Sequence, residues 1–447
     1  MSKPGVIIPG LERISNLLEM MGHPEAGLRY IHIAGTNGKG STGLIIASIL
    51  QESGYKVGTY SSPHLHSYRE RFCINGEPIA AEALSKLFFK IADHVRKMSE
   101  QGLESPSEFE ILTAVAFQYF HDQKPDFVIL EVGMGGSFDT TNVIDPLISV
   151  ITGIDYDHTA YLGETLAEIA ANKAGIIKPG RPVVVGPMDE SALTVITSRA
   201  VDLQAPLYSS GLVEIDNKPA TGLQAQKVDI RYGEDKIGDV LFSLAGGHQL
   251  SNLAAALTTL IIMQDELSTP LGFKPISNGE EMKRHGLAGM EPALRKGLAH
   301  LHHPGRLEIL SEQPLVIVDA AHNPQGTRAL AQSLQVMLPK KKHVLVCGWL
   351  NDKDVIHSLL PLGENTRLCI VTRPEGARGT GWQRVARIWE VTFPNISCLM
   401  EENINKAVDL GLQLLQEDEY LLITGSFYIL DRARSHLLEM IDKLSIC

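Results

Sequence analysis

The sequence predicts an α/β protein with two domains: an N-terminal P-loop domain on a doubly wound, mostly parallel sheet, and a smaller C-terminal Rossmann-like α/β domain. At about 150 residues per domain, a chain of 447 residues has room for both. Short apolar strands alternate with helical stretches along most of the chain. A glycine-rich loop at residues 35–41, between a strand and a helix, is typical of phosphate-binding α/β folds.

The composition indicates a folded, soluble protein. Hydrophobic residues make up 44% of the chain and charged residues 21%, which favours buried cores over disorder. No window approaches the roughly 18 continuous apolar residues of a membrane span. The N-terminal sequence MSKPGVIIPGLERI lacks the apolar stretch of an export signal. We therefore expect a cytoplasmic protein that does not act at a membrane.

Charge and cysteine usage exclude two further classes of function. The formal net charge of −12, without a basic stripe, argues against binding to a nucleic acid backbone. The five cysteines are odd in number and form no CxxC pair, so neither a disulfide framework nor a zinc site is expected.

The N-terminal half shows the alternation most clearly. Apolar runs predict strands at 30–34, 56–60, 127–130 and 147–154, and periodic apolar spacing predicts helices from the loop to about 53 and at 163–174. The continuous apolar run FVIL is typical of a parallel strand that is buried on both faces. Residues 213–244 are β-like and polar, and we expect them to form an excursion at the edge of this sheet.

A second unit follows a break in the pattern. The segment GLAHLHHPG at 297–305 is the candidate linker, so the predicted domains span residues 1–299 and 300–447. Strands are predicted at about 315–318, 344–347, 368–372 and 420–424, with a helix at 403–416. Ligands of such sheets bind beyond the carboxyl ends of the strands, so we expect the site in the cleft between the domains.

The loop GTNGKGS can hold phosphate through backbone N–H groups, the ammonium of Lys39 and the positive N-terminus of the following helix. It departs from the GxxxxGK[ST] pattern, because Ile33 stands where the first glycine would be and Gly40 directly follows the lysine. The usual GTPase and motor families therefore fit poorly.

Three other side chains have two interpretations each on residue chemistry alone. Glu131 ends a buried strand, where it is either a magnesium ligand or a solvated carboxylate. His158 and Lys173 stand fifteen residues apart on either side of a predicted helix. Because magnesium prefers oxygen ligands, residue chemistry favours a core-edge histidine and a surface lysine over a metal site.

Motifs across nearly the whole chain change that judgement. GTNGKGS, SSPHL, EVGMGG, DHTAYLG, NKAGIIKPG, GGHQLSN, HPGRLE, DAAHNP and TGSFY occur in this order. Together they resemble the folylpolyglutamate synthase/dihydrofolate synthase family of the Mur ligase superfamily. The resemblance implies a Mur ligase-like fold and a monomeric, ATP-dependent amide ligase. Such an enzyme adds L-glutamate to folate, and to dihydropteroate, through an acyl phosphate.

The resemblance also implies the site residues. The implied ATP contacts are Thr36, Asn37, Gly38, Lys39, Gly40, Ser41, Asn252, Arg306 and Asp319. The implied ligands of two Mg²⁺ ions are Ser62, Glu131, His158 and a carbamylated Lys173. The implied catalytic residues are Lys39, His158, Lys173 and His322. The implied substrate contacts are Ser107, Glu108, Phe109, Glu110 and Asp139.

The chain departs from the family pattern at three positions. Ala320 stands where glycine is usual, Asn172 where glutamate is commoner, and Ser137 where many bacterial members carry arginine. The third departure bears on how the pterin substrate is held.

Two alternative functions stay open. One is a Mur-type ligase of peptidoglycan precursors. Such ligases usually have an additional N-terminal domain, and the 34 residues before the loop are too few for one. The other is a P-loop regulatory ATPase, which would hydrolyse ATP without folate or glutamate.

Overall fold

A computed structural model of the chain describes residues 10–218, 225–266 and 286–445. Residues 1–9, which begin the sequence examined for an export signal, and Cys447 lie outside these ranges. In the described part of the chain, no helix combines the length and the apolar character that crossing a bilayer requires.

Strands and helices alternate through both halves of the chain. The strands are β1 (Tyr30–Ala34), β2 (Val57–Tyr60), β3 (Phe72–Ile74), β4 (Glu77–Pro78), β5 (Phe127–Glu131), β6 (Ile148–Ile151), β7 (Val183–Val185), β8 (Leu207–Ser209), β9 (Glu214–Lys218), β10 (Gln226–Tyr232), β11 (Asp235–Phe242), β12 (Glu308–Glu312), β13 (Leu315–Asp319), β14 (His343–Cys347), β15 (Thr366–Val371), β16 (Ser397–Met400) and β17 (Tyr420–Thr424). The helices are α1 (Glu12–Met20), α2 (Lys39–Glu52), α3 (Ala81–Glu100), α4 (Glu108–Gln123), α5 (Thr159–Leu162), α6 (Leu166–Lys173), α7 (Glu190–Asp202), α8 (His248–Glu266), α9 (Leu287–Ala299), α10 (Pro324–Met337), α11 (Val355–Leu359), α12 (Gln383–Thr392), α13 (Ile404–Gln413) and α14 (Phe427–Ser445).

The first sheet has the order β4-β3-β2-β5-β1-β6-β7-β8. Six neighbouring strands are parallel: β2, β5, β1, β6, β7 and β8. Strand β3 is antiparallel to β2, and β4 is antiparallel to β3. Helices cover both faces, so β1, β5 and β6 are buried along their whole length. This arrangement confirms the predicted doubly wound, mostly parallel sheet.

Three apolar clusters hold helices against this sheet, and one of them packs α6 and α7 on β6 and β7. On one face, isoleucines of α2 pack with α8 and α9; on the other, α1, α3 and α4 pack on Tyr30, Val128 and Leu130. In α2, Ile45 and Ile49 are completely buried, and burying such a side chain contributes about 1.5–3 kcal/mol. The helix that follows the phosphate loop is therefore firmly held.

The β-like segment at 213–244 does not extend the edge of the first sheet, and that expectation is corrected. Strands β9, β10 and β11 form a separate antiparallel sheet of order β11-β10-β9. Alternate residues such as Val228, Ile230 and Val240 point into the core shared with α2, α8 and α9. The period of two predicted the strands, but packing against these helices decided which sheet they form.

The second sheet begins after α9, and residues 300–307 connect the two parts. Its order is β12-β13-β17-β14-β15-β16, with β12 antiparallel to β13 and all other pairs parallel. Apolar clusters line both of its faces. The sheet therefore matches the predicted Rossmann-like unit, while the division at residues 299/300 stays a prediction about domains.

Candidate active site

The phosphate loop follows β1, at the point where the chain order of the first sheet reverses between β5 and β6. Gly35 and Gly38 have φ angles of 151° and 86°, and a side chain at either position would collide with Thr152 or Asn252, respectively. These glycines are therefore required both by the backbone conformation and by close neighbours. The predicted Asn252 thus lies directly against the loop, although it is more than two hundred residues away in sequence.

The loop is anchored to the chain that follows β6. Thr36 Oγ1 donates to the carbonyl of Asp155 at 3.0 Å and accepts from its N–H at 3.0 Å. Thr152 Oγ1 donates to the carbonyl of Asn37 at 2.6 Å. These contacts preorganise the loop, and no motif in the sequence predicts this role for Thr152 or Asp155.

Two lysines converge on one carbonyl of the loop. Lys39 Nζ donates to the Gly35 oxygen at 3.1 Å and to the Thr36 oxygen at 3.3 Å. Lys173, at the end of α6, donates to the same Gly35 oxygen at 2.9 Å and is only 4% exposed. Burial, with a smaller contribution from Lys39, lowers the pKa of Lys173 to about 7. Lys173 is therefore a buried amine at the site and not the surface lysine of the alternative interpretation.

Glu131 faces the start of α2 from the end of β5. Strand β2 pairs with β5 beside it, so Ser62, two residues after Tyr60, lies near the Glu131 carboxylate, and a side chain at Gly40 would come within 3.6 Å of Glu131 Oε2. Burial raises the pKa of Glu131, and the nearby charges of Lys39 and Arg306 oppose that shift. The structure thus brings together Glu131, Ser62 and the phosphate loop.

The loop after β6 also carries Asp157, which joins the two domains. Its carboxylate accepts from Lys353 Nζ at 2.6 Å and from Asn323 Nδ2 at 3.1 Å. Lys353 and Asp157 are 7% and 10% exposed, so this is a buried ion pair. Burial alone would raise the pKa of Asp157, but His322, Lys353 and His158 hold it well below its usual range.

The two predicted histidines lie on either side of this aspartate. The Nε2 atoms of His322 and His158 are 3.8 and 3.9 Å from Asp157 Oδ2. Burial and the charge of Lys353 lower the pKa of His158 to about 4, which favours its neutral ring. Lys353 stands in the sequence Asp352-Lys353-Asp354, but only the structure shows that it pairs with Asp157.

The C-terminal domain contributes further residues beside the phosphate loop. Asn37 Nδ2 donates to Asn323 Oδ1 at 3.1 Å and to Gln325 Oε1 at 2.6 Å. The guanidinium of Arg306 lies 5.0 Å from the centre of the Phe427 ring. Asp319 accepts from the backbone N–H groups of Leu307 and Ala321, each at 2.7 Å. The carboxylate of Asp319 therefore organises the segment that carries Arg306.

A third histidine, His303, was missed. Its Nδ1 lies 3.1 Å from Ser41 Oγ in the first turn of α2. Burial, followed by the charge of Arg306, lowers the pKa of His303 to about 3. The residue immediately precedes the PGR triplet that drew attention to Arg306, and this position is the only sequence signal that could have found it.

The predicted substrate contacts at the start of α4 have mixed surroundings. Ser107 and Glu110 cap the helix reciprocally: Ser107 N donates to the Glu110 carboxylate at 2.6 Å, and Glu110 N donates to Ser107 Oγ at 3.3 Å. Glu110 is also buried against Arg13. Glu108 is exposed and accepts from the Tyr68 hydroxyl at 2.7 Å. Of the two glutamates, Glu108 is thus the one that presents its carboxylate to solvent.

Phe109 and Asp139 are bound into the fold as well. Phe109 packs so closely on Gly133 that a side chain there would collide with its ring. Asp139 is buried and accepts from Met134 N at 2.9 Å and Thr141 N at 3.0 Å. Both help to shape the chain after β5, and a direct contact with substrate stays a prediction.

The donor set near the loop fits a magnesium ion that shares its ligands with phosphate. Within residues 10–218, 225–266 and 286–445, no group of three or more His, Cys, Asp or Glu side chains is arranged to hold a metal. Magnesium, however, is usually held by one or two carboxylates together with substrate phosphates and water. Glu131 offers a carboxylate of this kind beside the loop, and Ser62 follows β2, the strand that pairs with β5.

Comparisons with known proteins agree with this arrangement. The family described as Mur ligase middle domain matches residues 33–260, and the Mur ligase, glutamate ligase domain matches residues 305–427. A dihydrofolate synthase/folylpolyglutamate synthase of Bacillus subtilis is 35% identical over 435 residues, which cover 96% of this chain and 95% of the relative.

Solved structures with the same fold include ligand complexes. A folylpolyglutamate synthase of Mycobacterium tuberculosis, complexed with ADP and AMPPCP, has a TM-score of 0.85 and 31% identity, covering 96% of this chain and 95% of that one. A bifunctional folylpolyglutamate synthase/dihydrofolate synthase with Mn, AMPPNP and L-glutamate bound has a TM-score of 0.79 and 30% identity, covering 97% and 95%. These matches confirm the resemblance, and the chain belongs to the dihydrofolate synthase/folylpolyglutamate synthase family of Mur ligases.

Proposed function

We propose that this protein is an ATP-dependent ligase that adds L-glutamate to folates and to dihydropteroate. The observation that carries the proposal is the convergence of two domains on one loop. Glu131 and Lys173 of the first domain lie beside the loop, and Asn323 and Gln325 of the second domain accept hydrogen bonds from its Asn37. The names of the relatives supply the substrate class.

The reaction is a pair of displacements. A carboxylate oxygen of the folate attacks the γ-phosphorus of ATP, the bond to the β,γ-bridging oxygen breaks, and ADP leaves. The amine of L-glutamate then attacks the acyl carbon and phosphate leaves, with loss of the amine proton. Neither step requires a covalent bond to the protein, so catalysis consists of positioning and charge neutralisation.

The loop residues Thr36 to Ser41 would hold the phosphates through backbone N–H groups at the start of α2. Lys39 would exchange its present carbonyl partners for phosphate oxygens. From the second domain, Arg306 would supply a further positive charge, and Asp319 would keep that arginine segment in place. Asn252 of the first domain would contact the nucleotide beside Gly38. Closure of the two domains would exclude water from the acyl phosphate.

Ser62, Glu131 and His158 are the proposed ligands of a magnesium ion. When bound, the ion neutralises charge on the phosphates during transfer. The buried setting of Glu131 supports this role, because the same burial that raises its pKa strengthens its attraction to a cation.

A carbamate on Lys173 is proposed as a ligand of a second ion. The neutral amine attacks the carbon of CO₂ and loses a proton, and the product carries two carboxylate-like oxygens. Geometry supports this modification, because two ammonium groups would otherwise share the Gly35 carbonyl. An unmodified ammonium has no lone pair with which to coordinate a metal.

The remaining features of the site concern the acceptor substrate. Ser137, one of the three departures from the family pattern, donates from its hydroxyl to the Asn172 carbonyl at 2.9 Å. Glu108 and Tyr68 offer the exposed polar edge for the acceptor.

We propose that the enzyme acts as a monomer, since one chain supplies both sides of the site. We also propose that it acts in the cytoplasm, where ATP is available.

An ADP-release assay tests the proposed function. Dihydropteroate or tetrahydrofolate is supplied with and without L-glutamate, and ligated product is identified by mass. We expect continuous ADP release, beyond one equivalent per enzyme, to require both the acceptor and L-glutamate. Continuous release independent of either would contradict the proposal and favour a regulatory ATPase, and dependence on a peptidoglycan precursor would favour a Mur-type ligase.

A further inference from the structure

Residues 61–67, between β2 and the short helix at Tyr68–Arg71, form a loop that leaves the first domain and packs into the second; we term it the docking loop. Leu65 in this loop is 7% exposed. Its hydrophobic cluster is otherwise built, within the described residues, from the C-terminal domain, including Val316, Val318 and Ile429. One side chain of the first domain is thus part of the core of the other.

The next residue, His66, bonds to α14 in a specific way. Its Nδ1 lies 2.7 Å from Asp431 Oδ1, and Arg434 Nη1 donates to its Nε2 at 3.0 Å. A carboxylate accepts and a guanidinium donates, so both contacts are satisfied by a neutral ring with its proton on Nδ1. The contact therefore selects one ring orientation and one position of the docking loop.

The same arginine also holds the linker between the domains. Arg434 Nη2 donates to Glu308 Oε1 at 2.8 Å, and both side chains are largely buried. Glu308 in turn accepts from Gly305 N at 2.8 Å, next to Arg306. Arg434 therefore ties the docking loop and the Arg306 segment to one point on α14.

At its other end, the docking loop reaches the proposed cation site. Ser62 follows Tyr60, which pairs with Leu130 next to Glu131, and the Ser62 backbone N–H lowers the pKa of the Glu131 carboxyl. Between these ends the loop is stiffened, because the Glu70 carboxylate accepts from Leu65 N and Ser67 N, each at 2.8 Å. A shift of Leu65 or His66 would therefore move Ser62 relative to Glu131.

We propose that Leu65 and His66 are positioning residues through which docking of the C-terminal domain sets the geometry of Ser62 and Glu131. The inference rests on the proposed function in one respect, that these two residues hold the divalent cation with ATP. Leu65 and His66 lie outside the phosphate loop at residues 35–41. Their effect is exerted through the backbone of the docking loop.

The first test measures cation binding without turnover. Mn²⁺ is titrated, by electron paramagnetic resonance, into the full-length protein with AMPPNP. Loss of an outer-shell partner typically costs 10–100-fold in metal affinity, so we expect about tenfold weaker binding in Leu65→Ala. Leu437→Ala is the matched control, because Leu437 is buried in the same cluster but lies on α14 and not in the docking loop. Leu65→Met conserves volume and should bind as the wild type does.

The second test uses the hydrogen bonds of His66. In His66→Leu the ring's donor and acceptor are lost, and we expect weaker Mn²⁺ binding with little change in thermal stability, since the side chain is partly exposed. His66→Gln retains one donor and one acceptor group and should recover most of the binding. A merely structural role would lower the melting temperature without this selective recovery.

The outcomes are decisive for the inference independently of the proposed function. Equal Mn²⁺ affinities in wild type, Leu65→Ala and His66→Leu, or equal losses in Leu65→Ala and Leu437→Ala, would overturn it. Should Leu65→Ala not fold, the pair of His66 variants decides. Absence of glutamate-dependent turnover in the wild type would overturn the proposed function but would leave the comparison of Mn²⁺ affinities intact.

Discussion

The two sheets present the same local unit at their carboxyl edges, a strand that runs through a short loop into a helix, but they complete it differently. In the first unit, β1 leads to α2 through Gly38, which has a φ of 86° and, as a glycine, has no side chain to cap the helix. In the second, β13 leads to α10 through Asn323, whose Oδ1 accepts from Gly326 N at 2.8 Å, and Pro324 follows as the first helical residue.

This difference explains which helix can receive a phosphate. The first N–H groups of a helix attract anions when no side chain of the protein occupies them. At α2 a glycine leaves them accessible, whereas at α10 an asparagine bonds to them. The second unit instead uses its polar side chains to contact the first, through the hydrogen bonds of Asn323 to Asn37 and Asp157. One unit is therefore built for a ligand and the other for docking.

We expect the largest effect from the loss of Lys39, the lysine of the first unit. Lys39→Ala removes the point charge next to the open helix terminus, and we expect kcat for ligation to fall by about 10³-fold, as for loss of other preorganised charge-stabilising groups. Product formation at saturating ATP measures it. Lys340→Ala, at an exposed lysine near the far end of α10, is the control. Normal turnover by folded Lys39→Ala protein would remove the loop from the active site.

A substitution that sterically blocks the open N-terminus of α2 should have the next largest effect. In Gly38→Ala the new side chain meets Asn252 and the backbone has an unfavourable φ, so we expect nucleotide affinity to fall by about tenfold or more. Calorimetric titration with AMPPNP measures the affinity. Gly76→Ala is a matched control with a φ of 78° and no neighbour within 4 Å of the added carbon. Equal affinities in wild type and Gly38→Ala would show that the close approach of Asn252 is unimportant.

The amine behind the first unit predicts a pH dependence of stability. Lys173 has a pKa of about 7 in the folded chain and an ordinary value of 10.5, so between these pH values the unfolded chain binds more protons. The free energy of unfolding therefore rises with pH across this window, by up to about 1.4 kcal/mol per pH unit. Denaturant titrations in CO₂-free buffer should show this rise relative to Lys173→Met. Parallel curves for the two proteins would contradict the buried amine.

The smallest effect is expected from the cap of the second unit. Asn323→Ala removes the cap of α10 and should lower the free energy of unfolding by about 1 kcal/mol, in addition to weakening ligation. Asn323→Asp keeps an oxygen for the cap but cannot donate to Asp157, and it adds a like charge beside it. We therefore expect Asn323→Asp to retain stability and lose activity. Equal activity of Asn323→Asp and wild type would assign Asn323 to capping alone.

Much of the fold was predictable because its signals are local. The predicted strand at 30–34 coincides with β1, and that at 420–424 coincides with β17, since apolar runs bounded by loops mark parallel strands. The antiparallel sheet of β9, β10 and β11 was predicted as strands but assigned to the wrong place. The alternation of apolar and polar residues shows which side chains of a strand share a face. It carries no information about which helices cover that face.

The candidate site divides along the same line. The sequence by itself determined the phosphate loop, the strand that ends at Glu131 and the motifs that carry Lys173, Arg306 and His322, because each is a short pattern with its own conformational requirement. Only the tertiary structure decided that Lys173 shares a carbonyl with Lys39. Lys173 and Gly35 are 138 positions apart, and spacing along a chain does not record which side chains are brought together when helices pack on a sheet.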